Sequence, residues 1–176
     1  EKYIPLNIEF WRLYREEKIT KEALRYQRLK AAFDAVNYQI VDEKINLLAD
    51  SYIEHLSTFP NVFQGTFEIL DYLKSKYKLH IITNGFKEIQ HKKLTVSKLL
   101  PYFGQVVTSE SVGVKKPNPK IFEHALLVAN AKKDEVIMIG DSIEADIKGA
   151  LDFGIKAIHC NFDNQLINNG NFTSIN

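Results

Sequence analysis

The first 58 residues show the spacing of amphipathic helices and no strand pattern. A short amphipathic segment carries Trp11 and Tyr14, and Thr20 is placed to cap the helix that follows. Asp42 is placed to cap a third helix, in which apolar side chains recur every three or four positions and form one stripe. That stripe consists of Ile45, Leu48, Ala49, Tyr52, Ile53 and Leu56. The pattern therefore predicts a helical region over residues 1–58.

After Pro60 and Gly65 the pattern changes to helices that alternate with short, continuously apolar segments. Helices are predicted near residues 66–75, 87–99, 119–130 and 144–153, and strands at residues 79–83, 105–109, 136–140 and 156–160. The tail from Asn161 is polar and has no periodicity. This alternation predicts an α/β fold over residues 59–176, with a doubly wound and mostly parallel sheet. Continuously apolar strands fit a parallel sheet because helices cover both of its faces.

Composition narrows the class of protein. The chain has 176 residues, of which 45% are hydrophobic, and this suits one compact domain, or one domain with a modest insertion. A formal net charge of +1 does not indicate a nucleic-acid polymer or a membrane surface as partner, and it does not indicate an oligomeric state. No apolar run approaches the length of a membrane span. The single cysteine, Cys160, cannot form an internal disulfide, so we expect a reducing, cytoplasmic location.

Polar residues that follow an apolar strand matter because ligands of open α/β sheets bind beyond the carboxyl ends of the strands. The first such place is Thr83-Asn84-Gly85, which follows "LHII". A hydroxyl and successive backbone N–H groups at a strand-to-helix turn can hold phosphate oxygens. In the alternative interpretation, Thr83 and Asn84 form the turn or cap the helix from Phe86.

The second place is Lys116, within "GVKKPNPKIF" at residues 113–122. Pro117 and Pro119 restrict the backbone around this lysine, and Pro119 suits the first turn of a helix. A positioned ammonium group can neutralise charge on a phosphoryl group and on its nucleophile. The alternative is an exposed loop lysine, which is the usual environment of this residue type.

The third place holds two acids, Asp141 and Asp146, within "VIMIGDSIEADIKGA". A carboxylate directly after an apolar strand suits Mg²⁺, which prefers hard oxygen ligands and few protein carboxylates. Asp146 lies one helical turn further along, where it can orient a metal-bound water or Lys116. Alternatively, both acids are favoured at a helix start by the helix dipole.

In this order, "IITNG", "KKPNPKIF" and "GDSIEAD" resemble the second, third and fourth motifs of the haloacid dehalogenase-like (HAD) hydrolase superfamily. The resemblance covers residues 60–160 and implies a HAD-type Rossmann-like core with a helical cap domain. The longer stretches "ITNGFKEIQHKKL" and "GDSIEADIKGA" are most similar to the branch of nucleotide phosphatases that includes the YjjG-type pyrimidine 5′-nucleotidases.

The resemblance implies a Mg²⁺-dependent phosphatase that acts on small phosphomonoesters, with nucleoside 5′-monophosphates as candidate substrates. It implies that Thr83, Asn84 and Gly85 hold phosphoryl oxygens. Lys116 would offset charge on the phosphoryl group and the nucleophile. Asp141 would ligate Mg²⁺, and Asp146 would support Lys116 or the metal shell.

The family's first motif is missing from this chain. In the family, a strand ends in Asp-x-Asp, whose first Asp is the nucleophile that forms an aspartyl-phosphate and whose second is the general acid/base. No Asp-x-Asp occurs in the 176 residues. We therefore expect a fragment that lacks roughly fifty N-terminal residues and the first core strand, and that is inactive alone.

The family layout also implies that residues 1–58 are the later part of the helical cap. Trp11, Arg12, Tyr14 and Arg15 lie there and can contact a base or sugar, or they are cap core and solvated surface.

Two other functions stay open. A dehalogenase would need no metal, and the acid at position 141 argues against it. A non-catalytic short form would bind only phosphate ligands.

Overall fold

The structure is a computed structural model that describes residues 1–162 and 172–175. The chain divides into two compact units, Glu1–Asn61 and Val62–Asn176. Across the described residues, no helix is long and apolar enough to cross a membrane.

The first unit is helical, as predicted, with α1 (Tyr3–Arg15), α2 (Lys21–Asp34) and α3 (Asp42–Leu56). The predicted cap of α2 is confirmed, because Thr20 Oγ1 accepts a hydrogen bond from Ala23 N at 3.2 Å. The predicted cap of α3 is wrong. Val41 occupies that position, and the Asp42 carboxylate accepts a hydrogen bond of 2.6 Å from the Tyr26 hydroxyl. Asp42 therefore ties α3 to α2 instead of closing its own helix.

The interior of this unit holds a charged side chain that the sequence did not reveal. Arg28 of α2 is buried, like the apolar Leu24 and Ile45. Its Nη1 donates to Asn7 Oδ1 of α1 at 3.0 Å, and its guanidinium carbon lies 4.7 Å from the ring centroid of Tyr52 on α3. Arg28 thus contacts both neighbouring helices, through a hydrogen bond on one side and a cation–π contact on the other.

The second unit alternates helices and strands. Its strands are β1 (Leu79–Thr83), β2 (Phe103–Thr108), β3 (Ile137–Gly140), β4 (Lys156–Cys160) and β5 (Thr173–Ile175). Its α-helices are α4 (Thr66–Lys74), α5 (Lys87–Val96), α6 (Ser109–Val112), α7 (Pro119–Ala129) and α8 (Gly149–Phe153). A π-helix spans Ile143–Lys148, and short 3₁₀ helices span Leu100–Tyr102 and Lys133–Glu135.

Every strand pairing among the described residues is parallel, which confirms the α/β class. The strands form two sheets in the described part of the chain, β1-β2 and β3-β4-β5, where the sequence predicted one. Within those residues, β1 and β3 each pair along one edge only. The register places Thr83 beside Thr108 and Gly140 beside His159, so the carboxyl ends of the paired strands coincide.

Strand β5 lies in the tail for which no strand was predicted. Its three residues are all exposed, so burial imposes no apolar pattern on them. Backbone pairing with β4 forms this strand, since Ile158, His159 and Cys160 align with Thr173, Ser174 and Ile175.

The core of the second unit packs α7, the π-helix and α8 against β2 and β4. Its buried members are Val107, Ile121, Phe122, Ile147, Ala150, Ile155 and Ala157. Gly149 permits one close approach within this packing, because a Cβ there would lie 2.8 Å from Pro117 Cβ. The loop that carries Lys116 and Pro117 is therefore held against the start of α8.

Candidate active site

Lys116 is buried, with 7% of its surface exposed, so the exposed-lysine interpretation is wrong. Its Nζ donates to the carbonyl oxygen of Ile82 in β1 at 2.8 Å and pairs with Asp146 Oδ1 at 2.5 Å. An ammonium group has three N–H donors. Two of them are engaged by described residues, which leaves one for a ligand near the carboxyl end of β1.

Asp146 is 4% exposed, and both of its carboxylate oxygens have protein partners. Oδ1 binds Lys116, and Oδ2 accepts a hydrogen bond from the backbone N–H of Ser142 at 3.2 Å. Of the tasks expected for Asp146, this geometry fits the support of Lys116. An acid near a helix start also accepts a hydrogen bond such as the one from Ser142 N–H. Asp146 therefore both stabilises the helix start and supports Lys116.

The predicted α-helix near residues 144–153 begins instead as a π-helix. The carbonyl oxygen of Ser142 accepts hydrogen bonds from Asp146 N at 2.9 Å and from Ile147 N at 3.2 Å, and Ser142 Oγ caps Ala145 N at 3.1 Å. A bond from residue i+5 widens the turn by one residue. Asp146 lies in this wide turn and contacts both Ser142 and Lys116. A single wide turn does not change apolar spacing enough for the sequence to reveal it.

Gly140, the last residue of β3, allows this turn to lie against the strand end. A Cβ at Gly140 would be 2.6 Å from Asp146 Cβ and 2.6 Å from Asp146 Cγ. Separations below 3 Å are not tolerated between carbon atoms, so any larger residue must displace Asp146. The glycine in "IGDS" is therefore part of what positions the ion pair, a role that sequence reasoning missed.

In the turn after β1, Thr83 makes a contact that was predicted, and Asn84 makes one that was not. Thr83 Oγ1 accepts a hydrogen bond from Gly85 N at 3.0 Å, so Thr83 does form the turn, and its hydroxyl hydrogen can still donate to a ligand. Asn84 does not cap the next helix. Its side chain binds the backbone of Lys116 instead, accepting from Lys116 N at 2.8 Å and donating to Lys116 O at 3.0 Å.

Helix α5 begins without a side-chain cap from Phe86. Its first N–H, that of Lys87, donates to Glu110 Oε2 of α6 at 2.6 Å. The sequence could not show this cap because its acceptor is 23 residues away.

Asp141 follows β3 directly and is exposed. Its carbonyl oxygen lies 3.1 Å from Nε2 of the buried His159, which must be the donor because a carbonyl only accepts. An exposed carboxylate at a strand end fits Mg²⁺, which takes one or two protein carboxylates and keeps several waters. No cluster of three or more His, Cys, Asp or Glu side chains suited to a metal occurs in residues 1–162 and 172–175. Asp141 is therefore a candidate for one ligand of a site with few protein ligands.

The pKa of Cys160, at the end of β4, is affected by the charge of Asp141. Burial, and secondly the Asp141 carboxylate, raise the pKa of the Cys160 thiol above its ordinary value. A higher pKa leaves less thiolate near neutral pH, and the thiolate is the nucleophilic form. The thiol is therefore a poor nucleophile, in keeping with a packing role.

The candidate residues of the helical unit have local partners. Tyr14 is buried and meets the Trp11 ring edge-on, with centroids 5.8 Å apart. The Arg12 guanidinium binds Glu9 at 2.6 Å and Glu16 at 2.8 Å. These are the contacts of core and of solvated surface, and a substrate contact in this unit stays a prediction.

The fold and the site define a class of protein: a parallel α/β protein with a hydroxyl, a buried lysine and an acid at its strand ends. Residues 10–160 match the haloacid dehalogenase-like hydrolase family, and the chain belongs to that family. The resemblance seen in the three motifs is thereby confirmed.

Individual relatives agree with the narrower branch. The chain is 32% identical over 160 residues to pyrimidine 5′-nucleotidase YjjG of Escherichia coli, and the matched region covers 90% of this chain and 69% of that protein. It is 34% identical over 164 residues to pyrimidine 5′-nucleotidase PynA of Streptococcus pneumoniae, with 90% and 67% covered. The magnesium-bound crystal structure of the putative HAD-hydrolase YfnB from Bacillus subtilis superposes with a TM-score of 0.86 at 28% identity, covering 98% of this chain and 75% of that one.

Removal of one partner of the Lys116–Asp146 pair is expected to leave the other charge buried and unpaired. Lys116→Met should lower the free energy of unfolding by about 3 kcal/mol, measured by urea denaturation. The double variant Lys116→Met/Asp146→Leu should recover part of that loss. As a control, Lys30→Met removes a partner of Asp34 from an exposed pair and should cost no more than about 0.5 kcal/mol. Equal losses for Lys116→Met and Lys30→Met would contradict the importance of the buried pair.

Gly140→Ala is expected to displace Asp146 and to lower the free energy of unfolding by about 2 kcal/mol through overpacking. Gly104→Ala is the matched control in β2, where the nearest atom to a new Cβ is His80 Cε1 at 3.3 Å. The control should cost less than about 1 kcal/mol. A Gly140→Ala variant as stable as Gly104→Ala would show that the close contact with Asp146 is not restrictive.

Asp141→Asn is expected to lower the pKa of Cys160, because the substitution removes the carboxylate that helps to raise it. A lower pKa gives more thiolate at a fixed pH, so alkylation by iodoacetamide near neutral pH should become faster. The single cysteine makes the measurement specific. Asp152→Asn makes the same change at an exposed position of α8 and should leave the rate unchanged; equal rates in both variants would refute the charge effect.

Proposed function

We propose that this chain forms the phosphate-binding part of a Mg²⁺-dependent phosphatase that hydrolyses small phosphomonoesters, with nucleoside 5′-monophosphates as substrates. The observation that carries the proposal is the buried Lys116 ammonium, held by Ile82 O and Asp146. The ammonium lies by the carboxyl end of β1, which Thr83 terminates. A desolvated, oriented cation at the ligand-binding edge of a parallel sheet is suited to an anionic substrate.

Each group at this edge has a distinct task in the proposed reaction. The Thr83 hydroxyl donates to one phosphoryl oxygen while its own oxygen stays bound to Gly85 N. The remaining N–H of Lys116 offsets negative charge that the phosphoryl group and an attacking carboxylate share. Asp146 keeps that ammonium in place. Because these groups are held before a ligand arrives, little reorganisation accompanies the reaction.

Asp141 is the residue that would hold Mg²⁺. When bound, the ion supplies Lewis-acid neutralisation of phosphoryl charge. The exposure of the Asp141 carboxylate supports this role, since waters and substrate oxygens must complete the ion's coordination. Asp146 differs, because protein donors occupy both of its carboxylate oxygens. This supports a role in holding Lys116 and not as a ligand of the metal.

The proposed nucleophile is an aspartate outside these 176 residues, since they contain no Asp-x-Asp. Its carboxylate would attack phosphorus and break the P–O bond to the substrate alcohol, whose oxygen takes a proton from the second aspartate of the same motif. Water would then hydrolyse the aspartyl-phosphate. Strands β1 and β3 each have one edge without a strand partner among the described residues. A parallel strand paired there would end at the same edge as Thr83 and Asp141, where attack is required.

The choice of nucleoside 5′-monophosphates is supported by the two relatives named as pyrimidine 5′-nucleotidases, at 32% and 34% identity. The site in the second unit accounts for the phosphate group alone.

The test measures phosphate release by the protein expressed from its complete reading frame. The substrates are pyrimidine and purine nucleoside 5′-monophosphates and sugar phosphates, each assayed with Mg²⁺ and with EDTA. We expect Mg²⁺-dependent turnover of the nucleotides and a loss on the order of a hundredfold or more in Asp141→Ala. Asp152→Ala removes an exposed acid of α8 that has no part in the proposed reaction, and it should keep full activity. The 176-residue chain alone should be inactive.

Other outcomes would assign other functions. Full activity in EDTA, or halide release from a haloacid, would support dehalogenation and overturn the phosphatase proposal. A full-length protein that binds inorganic phosphate but hydrolyses no phosphomonoester would support a non-catalytic, phosphate-binding role.

A further inference from the structure

The side chain of Asn84 binds both backbone polar groups of one residue, Lys116. Asn84 Oδ1 accepts from Lys116 N at 2.8 Å, and Asn84 Nδ2 donates to Lys116 O at 3.0 Å. This two-way exchange is what a residue of a neighbouring antiparallel strand makes with its partner. The amide of Asn84 thus supplies both hydrogen bonds that a neighbouring strand would supply.

Lys116 needs such a partner because it is buried in a loop. It lies between α6 and α7, outside any helix or strand, and the next residue, Pro117, has no backbone N–H. Buried backbone N–H and C=O groups are almost always hydrogen-bonded, since an unpaired one is costly. Asn84 satisfies both groups of Lys116, and the loop's own turn bond joins Asn118 N to Lys115 O instead.

The ammonium end of Lys116 is positioned by Ile82 O and Asp146, while the backbone end is positioned by Asn84. A lysine side chain is long and rotatable, so an ammonium is well placed only if both ends are held. Ile82 and Asn84 lie on either side of Thr83, so the same turn holds Lys116 and presents the Thr83 hydroxyl.

We propose that Asn84 is a positioning residue, whose side-chain amide holds the Lys116 backbone so that its ammonium reaches both Asp146 and the ligand. The role in turnover rests on the proposed phosphatase function, because Lys116 contacts the phosphoryl group only in that reaction. It is separate from the expectation that the backbone N–H of Asn84 holds phosphate, because only the side chain of Asn84 is committed to Lys116.

The substitution Asn84→Asp tests this role with a minimal change of shape. The carboxylate still accepts from Lys116 N, but it presents an oxygen to the Lys116 carbonyl in place of the amide donor. Asn118→Asp is the matched control in the Lys116 loop. Asn118 Oδ1 accepts from Lys120 N at 3.0 Å and caps α7, and aspartate keeps that cap.

The first measurement does not depend on turnover. The protein is treated with a lysine-acylating reagent, and peptide mass spectrometry compares labelling of Lys116 with labelling of the exposed Lys120. We expect Lys116 to be protected in the wild type and in Asn118→Asp. Labelling of Lys116 should rise about fivefold to tenfold in Asn84→Asp, because loss of the hydrogen bond to the Lys116 carbonyl shifts local opening by such a factor.

The second measurement is the kinetics of the full-length enzyme. Asn84→Asp should lower kcat by about tenfold or more, with a smaller change in KM, because the ammonium is displaced from the developing charge. Asn118→Asp should match the wild type. A purely structural role would leave kcat unchanged in folded protein.

The outcomes separate this inference from the proposed function. Unchanged Lys116 labelling and unchanged kcat in Asn84→Asp would overturn the positioning role alone. Increased labelling of Lys116 in a protein whose wild type has no phosphatase activity would support the positioning and overturn only the proposed function. Should Asn84→Asp not fold, Asn84→Ser replaces it, since serine is polar but too short to bridge both groups. Protection of Lys116 in Asn84→Ser would then count against the inference.

Discussion

The buried ion pair between Lys116 and Asp146 is the interaction on which the rest of the site depends. Two charges removed from water stabilise a fold only when each has further hydrogen bonds. Ile82 O supplies one to the ammonium and Ser142 N–H supplies one to the carboxylate. Ile82 lies in β1, Lys116 in the loop before α7 and Asp146 in the π-helix, so these contacts join three segments that are distant in the chain.

Several local features follow from the geometry of this pair. Gly140 and Gly149 leave room for Asp146 and for Pro117, and a wide π-turn carries the Asp146 carboxylate. Asn84 supports the opposite end of Lys116. π-Helical turns often occur at functional sites, and here the turn has an identifiable task. Gly140, Ser142 and Asp146 of "GDSIEAD" thus serve both the packing and the electrostatics of the site.

The site combines three kinds of group at the carboxyl ends of β1 and β3. A hydroxyl can donate without carrying charge, a buried ammonium offers a fixed positive charge, and an exposed carboxylate offers a place for a cation. Membership of the haloacid dehalogenase-like hydrolases agrees with this combination. The two acids differ in task because their surroundings differ: Asp146 is enclosed by donors, whereas Asp141 remains open to solvent.

The sequence by itself determined the α/β class, most helix and strand positions, the family and the candidates Thr83, Lys116, Asp141 and Asp146. Apolar periodicity and strand-end acids are local properties, and a short window of sequence displays them. Only the tertiary structure decided how those residues are used. The burial of Lys116 and Arg28, the pairing of β5, the π-turn and the bond from Asn84 to Lys116 join residues far apart, or depend on hydrogen-bond choices within one turn. Such contacts leave no periodic trace, because each is formed once, between two particular partners.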